Sequence, residues 1–155
     1  MPRAVVDSPI GPLGLIASEA GLRAVLFDGR SMRPEGSSHV LVEAARQLEA
    51  YFDGDLVTFD VPLELHGTEF QRRCWLALAS IPYGQTVSYG EQARRLGLGP
   101  EAARPVGAAN GQNPLPIVLP CHRVIGANGS LTGFGGGLDV KRFLLEHEGA
   151  LLPFS

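Results

Sequence analysis

The chain has 155 residues, 45% of them hydrophobic and 19% charged, which is enough apolar material for one good core or two small ones and argues against a disordered chain. No stretch approaches the roughly 20 apolar residues of a membrane span, and Met1-Pro2-Arg3-Ala4-Val5-Val6-Asp7 reaches an acidic residue before a signal-peptide core forms, so a cytoplasmic protein is expected. The formal net charge of −3 is unevenly distributed: residues 1–65 carry five Arg against ten Asp and Glu, whereas residues 66–125 carry six Arg against three Glu. A basic segment in an acidic protein suits a local, salt-sensitive contact with nucleic acid, and equally an ordinary solvated surface.

The opening third reads as strands joined by tight turns: Arg3 to Asp7, Leu13 to Ser18 and Leu22 to Asp28, punctuated by Pro9, Gly11, Pro12 and Gly21. An antiparallel meander is expected. After a polar loop from Gly29 to Ser38, Val40, Ala44, Leu48 and Tyr51 or Phe52 recur at helical spacing, predicting a helix that ends near Gly54 and packs on the sheet. Val57 to Leu65 reads as a further strand. The boundary is placed at His66-Gly67, giving domains 1–66 and 67–155.

From Thr68 the period changes. Thr68 is placed to cap a helix with Phe70, Cys74 and Leu78 on one face, and Pro82-Tyr83-Gly84 closes it. Ser88 caps a short helix through Leu96; Gly97 and Gly99 separate it from another beginning at Arg104 or Pro105, because proline is tolerated in a first turn and disfavours helical geometry before it. Two short helices around a Gly-containing turn make a helix-turn-helix candidate whose second member faces DNA, with Arg104 at its leading edge. Asn113-Pro114 ends that helix, and Pro114, Pro116 and Pro120 bracket Ile117-Val118-Leu119, read as a buried extended stretch with Cys121 at its end. The fold class is α+β.

Two cysteines, Cys74 and Cys121, cannot form a disulfide framework and are expected reduced. Cys74 sits on an apolar face and reads as inert. Cys121 is followed by His122 and Arg123, which favour a thiolate if they reach it; in an extended segment neighbouring side chains diverge, so contact needs a water bridge or a sharp turn. Taken singly, each of these residues is more often structural.

Taken together they are distinctive. Asn113-Pro114-Leu115-Pro116-Ile117-Val118-Leu119-Pro120-Cys121-His122-Arg123-Val124-Ile125-Gly126 closely resembles the active-site signature of the O6-alkylguanine-DNA alkyltransferases, the methylated-DNA-protein-cysteine methyltransferases. The likeness extends through Ile81-Pro82-Tyr83-Gly84-Gln85-Thr86-Val87-Ser88-Tyr89-Gly90, Arg104-Pro105-Val106-Gly107-Ala108-Ala109-Asn110-Gly111, and Leu131-Thr132-Gly133-Phe134-Gly135-Gly136-Gly137-Leu138 to Lys141 and Glu148-Gly149. It is looser in the first third, resting on Asp7-Ser8-Pro9-Ile10-Gly11-Pro12-Leu13.

The resemblance implies a small ribonuclease-H-like sheet-and-helix domain followed by a winged-helix-like catalytic domain. It implies a monomer, able to bind cooperatively, acting on double-stranded DNA that contains O6-alkylguanine, with no cofactor. Cys121 would take the alkyl group once and irreversibly, served through water by His122, which Glu148 orients. Tyr89 and Lys141 would help the leaving guanine, Tyr89 also crowding a phosphate, and Asn113 would be the hinge. The base must leave the stack; Arg104 would fill its place, while Ala108, Ala109 and Gly111 approach the minor groove. Val124, Phe134, Gly135 and Asn110 would border the base pocket, with the carbonyls of Cys121 and Val124 reading the guanine amino group. Some relatives carry zinc in the first domain; residues 1–65 hold no Cys and only His39, so no metal is expected. Competing readings are a noncatalytic lesion sensor, a thiol-sensing regulator and a thiol hydrolase. Sensors of this type replace the nucleophile, which is retained here.

Overall fold

The computed structural model describes residues 1–151, so the last four residues of the expected second domain lie outside it. The chain forms two compact units, residues 1–65 and 66–155.

In the first unit, β1 (Arg3–Val6), β2 (Leu13–Ala17) and β3 (Leu22–Leu26) form an antiparallel meander in the order β1-β2-β3. The register runs Val6↔Leu13 and Leu15↔Val25, which brings the apolar members of three short strands onto one side. Helix α1 (His39–Phe52) covers them, its start fixed by Ser38, whose hydroxyl accepts from the Leu41 N–H. Leu13, Leu15, Leu22, Leu48 and Tyr51 are fully buried between helix and sheet. At roughly 25 cal/mol per Å2 of apolar surface, each such side chain contributes about 2 kcal/mol against chain entropy.

The strand expected over 57–65 is absent; only Leu63 forms a bridge, parallel to Leu22. Its backbone bonds are few because the Asp60 N–H and carbonyl are taken by the Gln47 side chain and Pro62 has no N–H to give.

The second unit begins with α2 (Glu69–Leu78), closed at its start by a capping box in which Thr68 and Gln71 exchange side-chain and backbone hydrogen bonds. A two-residue strand, β4 (Val87–Ser88), leads into α3 (Tyr89–Arg95), capped by Ser88 as expected. A 3-10 turn at Pro100–Ala102 precedes α4 (Ala103–Gly111), so the second helix of the pair starts one to two residues before the position expected from Pro105. Pro105, as the third helical residue, would have had an unsatisfied N–H in any case.

Cys74 of α2, Ala93 of α3 and Val106 and Ala109 of α4 form a shared core. The Trp75 indole donates to the Ala109 carbonyl at 2.7 Å, tying α2 to α4. Strand β5 (Val124–Ile125) pairs in parallel with β4 through Val87↔Val124 and Ser88↔Ile125, and α5 (Leu138–His147) closes the described chain. Gly137 stands just before α5 with φ 94°, a conformation that side chains rarely adopt.

Candidate active site

The stretch expected to be extended before Cys121 is a turn instead. Ile117 has φ 74°, and the Leu119 N–H returns to the Leu115 carbonyl at 2.8 Å. Asn113 spans this turn: its amide NH2 donates to the Leu119 carbonyl, and its oxygen accepts from the Leu115 N–H. Closely spaced prolines suggested extension, but the local hydrogen bonds of Asn113 override that preference. Cys121–Arg123 then forms a single 3-10 turn, buried throughout, in place of the extended geometry expected there.

Burial pushes the Cys121 thiol up from its ordinary value, while an Asn113 hydrogen bond and the nearby Lys141 charge pull it down. The net direction is upward, which favours the thiol over the thiolate. His122 is completely buried, and its Nε2 lies 2.7 Å from Glu148 Oε2. Glu148, the residue after α5, is also held by Arg123, whose Nε donates to Oε1 at 2.7 Å and Nη2 to Oε2 at 3.1 Å. A carboxylate gripped by a guanidinium stays ionised, so the neutral imidazole must carry its hydrogen on Nε2 and donate it. That leaves Nδ1 as the acceptor. Among the described residues, His122 Nδ1 is the buried side-chain polar atom without a hydrogen-bond partner.

Lys141, in the first turn of α5, is also fully buried. Its ammonium donates to the carbonyls of Val124 and Thr132, each at 2.7 Å. Burial lowers its proton affinity to a pKa of about 8, against an ordinary 10.5. The carbonyls of Cys121 and Val124, expected to read guanine, accept from the Val124 N–H and from Lys141 respectively, each retaining a second lone pair. Tyr89 is partly exposed at the start of α3, and Thr132 donates its hydroxyl hydrogen to the Tyr89 oxygen at 3.1 Å. Thr132 thus joins Tyr89 and Lys141 to the loop that holds Phe134, half-buried, and Gly135, exposed with open space beside its Cα.

On α4, Arg104, Ala108 and Gly111 are exposed at helical spacing and form one outward face. Two expectations need correction here. Ala109 is buried in the shared core, because the short helix must present that side to α2 and α3. Asn110 faces inward as well: its amide exchanges hydrogen bonds with Gln92 of α3 at 2.8 and 3.1 Å, committing it to the α3–α4 joint.

Family models match both units. Residues 1–65 match the model of the 6-O-methylguanine DNA methyltransferase ribonuclease-like domain, and residues 69–150 that of the 6-O-methylguanine DNA methyltransferase DNA binding domain. The chain belongs to this methyltransferase family. It is 51% identical to a methylated-DNA–protein-cysteine methyltransferase of Methanosarcina acetivorans, the match covering 95% of this chain and 97% of that protein. It is 50% identical to the enzyme of the same name from Mycobacterium tuberculosis, over 96% and 92% of the two chains. A solved structure of Mycobacterium tuberculosis OGT in complex with DNA is similar with a TM-score of 0.86 and 49% identity, over 96% of this chain and 92% of that one.

The structure of this methyltransferase brings Cys121, His122, Glu148, Lys141 and Asn113 together around one turn, and sets Arg104, Ala108 and Gly111 on a separate exposed face. Sequence reasoning missed two members of the buried network. Arg123 was noted as a neighbour of the cysteine, but nothing in its spacing pointed to Glu148, 25 residues away. Gln92 gave no signal beyond its place on the short helix capped by Ser88.

Proposed function

We propose that this methyltransferase repairs double-stranded DNA by direct reversal, taking the alkyl group of O6-alkylguanine, chiefly methyl, onto Cys121 in a single turnover. The supporting observation is the bare, buried Nδ1 of His122 on the same turn as a thiol that burial keeps protonated. The Cys121 proton passes to His122, through a water in the manner implied by the family. The thiolate then attacks the alkyl carbon, the new S–C bond forms as the O6–C bond breaks, and the electron pair stays on the guanine oxygen. Lys141 returns a proton there, a role supported by its lowered proton affinity: an ammonium with a pKa of about 8 remains charged at neutral pH yet gives up its proton more readily than an ordinary lysine. Tyr89, linked to Lys141 through Thr132, assists.

The base reaches the sulfur only outside the stack, an extrusion that costs a few kcal/mol. The exposed face of α4 supports this role, with Arg104 entering the vacated place and Ala108 and Gly111 allowing close approach to the groove. Phe134 and Gly135 border the flipped base. The protein acts as a cytoplasmic monomer, with several copies able to bind one duplex.

Incubation with an oligonucleotide containing O6-methylguanine, followed by intact-mass and peptide measurement, tests this reading. One added methyl group on the Cys121 peptide, absent in Cys121→Ala, is expected. Binding of the lesion without modification would instead identify a sensor.

A further inference from the structure

We propose that Arg123 is a positioning residue for the transfer: it fixes the Glu148 carboxylate and keeps the His122–Glu148 pair from taking up a proton, so that His122 meets Cys121 as a neutral acceptor. The inference rests on the reading of Cys121 as the nucleophile and assigns a task to a side chain that touches neither sulfur nor base in that reading.

The guanidinium is held on both sides. Toward the pair it makes two hydrogen bonds, one to each oxygen of Glu148; away from the pair, Nη1 donates to the Ile81 carbonyl at 2.6 Å and Cζ lies 5.7 Å from the centre of the Tyr83 ring. A planar fork fixed this way sets the plane of the carboxylate, and the carboxylate sets the ring of His122.

The charge balance follows from the same contacts. With Arg123 charged, Glu148 ionised and His122 neutral, the three groups sum to zero in a site where all are buried. One further proton would leave a net positive charge there, beside the ammonium of Lys141. The charged groups acting on His122 are Glu148, Arg123 and Lys141, and burial together with both cations opposes the pull of Glu148, holding the imidazole below its ordinary proton affinity. Cys121 adjoins His122 on the turn, and Tyr83 lies against Arg123. Helix α2, also packed on this turn, buries Cys74, Trp75 and Leu78, its Glu69, Arg72 and Arg73 being exposed.

Without the guanidinium the pair can accept a proton at either end. A proton on the imidazole occupies Nδ1. A proton on the carboxyl turns Nε2 into the acceptor and moves the ring hydrogen to Nδ1. Both outcomes remove the base.

The test compares single-turnover transfer from a duplex carrying O6-methylguanine in wild type, Arg123→Gln and Arg123→Lys. Rates are taken between about pH 5 and pH 9, alongside an NMR titration of the His122 ring in the unreacted proteins. In Arg123→Gln the acidic limb should move up by about one pH unit or more, a change of roughly tenfold in proton affinity, with rate recovered on the alkaline side. Arg123→Lys, which keeps the charge but not the fork, should be slower with its limb in place. A uniform loss across the pH range in Arg123→Gln, limb unmoved, would overturn the proposal.

The wild-type titration decides even where a variant fails to fold: a His122 ring that is cationic at neutral pH, or that carries its hydrogen on Nδ1, would overturn it too. A protein that never alkylates Cys121, but whose His122 stays neutral with hydrogen on Nε2 and gains proton affinity in Arg123→Gln, would sink the transfer reading and support the hold of Arg123 on the pair.

Discussion

Residues 1–65 fill their core with aliphatic and aromatic side chains, with Gln47 as the buried polar group, and leave ion pairs such as Arg3–Glu35 and Arg46–Glu43 at the surface. Residues 66–151 bury Lys141, Arg123, Glu148, His122, Gln92 and Asn110. Both units fold from short elements of ordinary pattern, so the difference is not imposed by architecture. Desolvating four ionisable groups is expensive, and a hydrophobic replacement of similar volume would often serve stability as well or better. The second unit carries that cost around Cys121 and the first does not, the contrast expected if the buried charges serve the proposed transfer.

The largest effects should come from breaking the buried network. Glu148→Ala leaves Arg123 and His122 unpaired and is expected to lower unfolding free energy by about 3–5 kcal/mol in urea titration. It should also reduce the transfer rate by roughly 100-fold or more, in line with the loss of a positioned base. Unchanged stability would mean that the network is not closed as described.

Next comes Arg104→Ala on the exposed face of α4. Transfer from duplex DNA should fall by about tenfold, as expected if about 1.4 kcal/mol of the extrusion cost is left unassisted, while transfer from a free benzylated guanine base is little affected. Equal losses on both substrates would remove the stack-filling role. In the first unit, Gln47→Ala strips partners from the Asp60 backbone and should cost about 1–3 kcal/mol in stability with the transfer rate unchanged. A changed rate would blur the contrast between the units.

Acid separates the units more gently. His122 is held neutral by burial, whereas an unfolded histidine takes a proton as pH falls through its ordinary value of 6.5. The unfolded chain then binds more protons, so stability declines as pH drops below about 6.5. Urea midpoints measured against pH should show this slope, and His122→Gln should flatten it. The smallest effect is expected at the surface of the first unit, where Glu35→Ala removes an exposed ion pair with Arg3 worth less than about 1 kcal/mol.

How legible the site was depended on where each hydrogen bond comes from. Thr68 and Ser88 announced their helices because caps act within three residues, and the Gly- and Pro-punctuated apolar runs announced the meander for the same local reason. The strand expected over 57–65 failed because the partner of Asp60 is the side chain of Gln47, 13 residues back. Ile117 to Leu119 failed because Asn113 bonds across them. Ala109, expected at the groove, and Asn110, expected at the base pocket, both face inward, since small and amidic residues suit a ligand surface and a helix joint equally well.

What the sequence determined by itself was a reduced cysteine at Cys121, its order with His122 and Arg123, the family pattern around them and the division of the chain near residue 66. Those are properties of neighbours along the chain, set by spacing and local propensity. Only the tertiary structure decided that Glu148 is shared between His122 and Arg123, that Lys141 is buried on the carbonyls of Val124 and Thr132, and that Nδ1 of His122 is the nitrogen left to accept a proton. The physical reason is that charge and proton affinity depend on burial and on partners many residues away, and both come into being only when the helices pack.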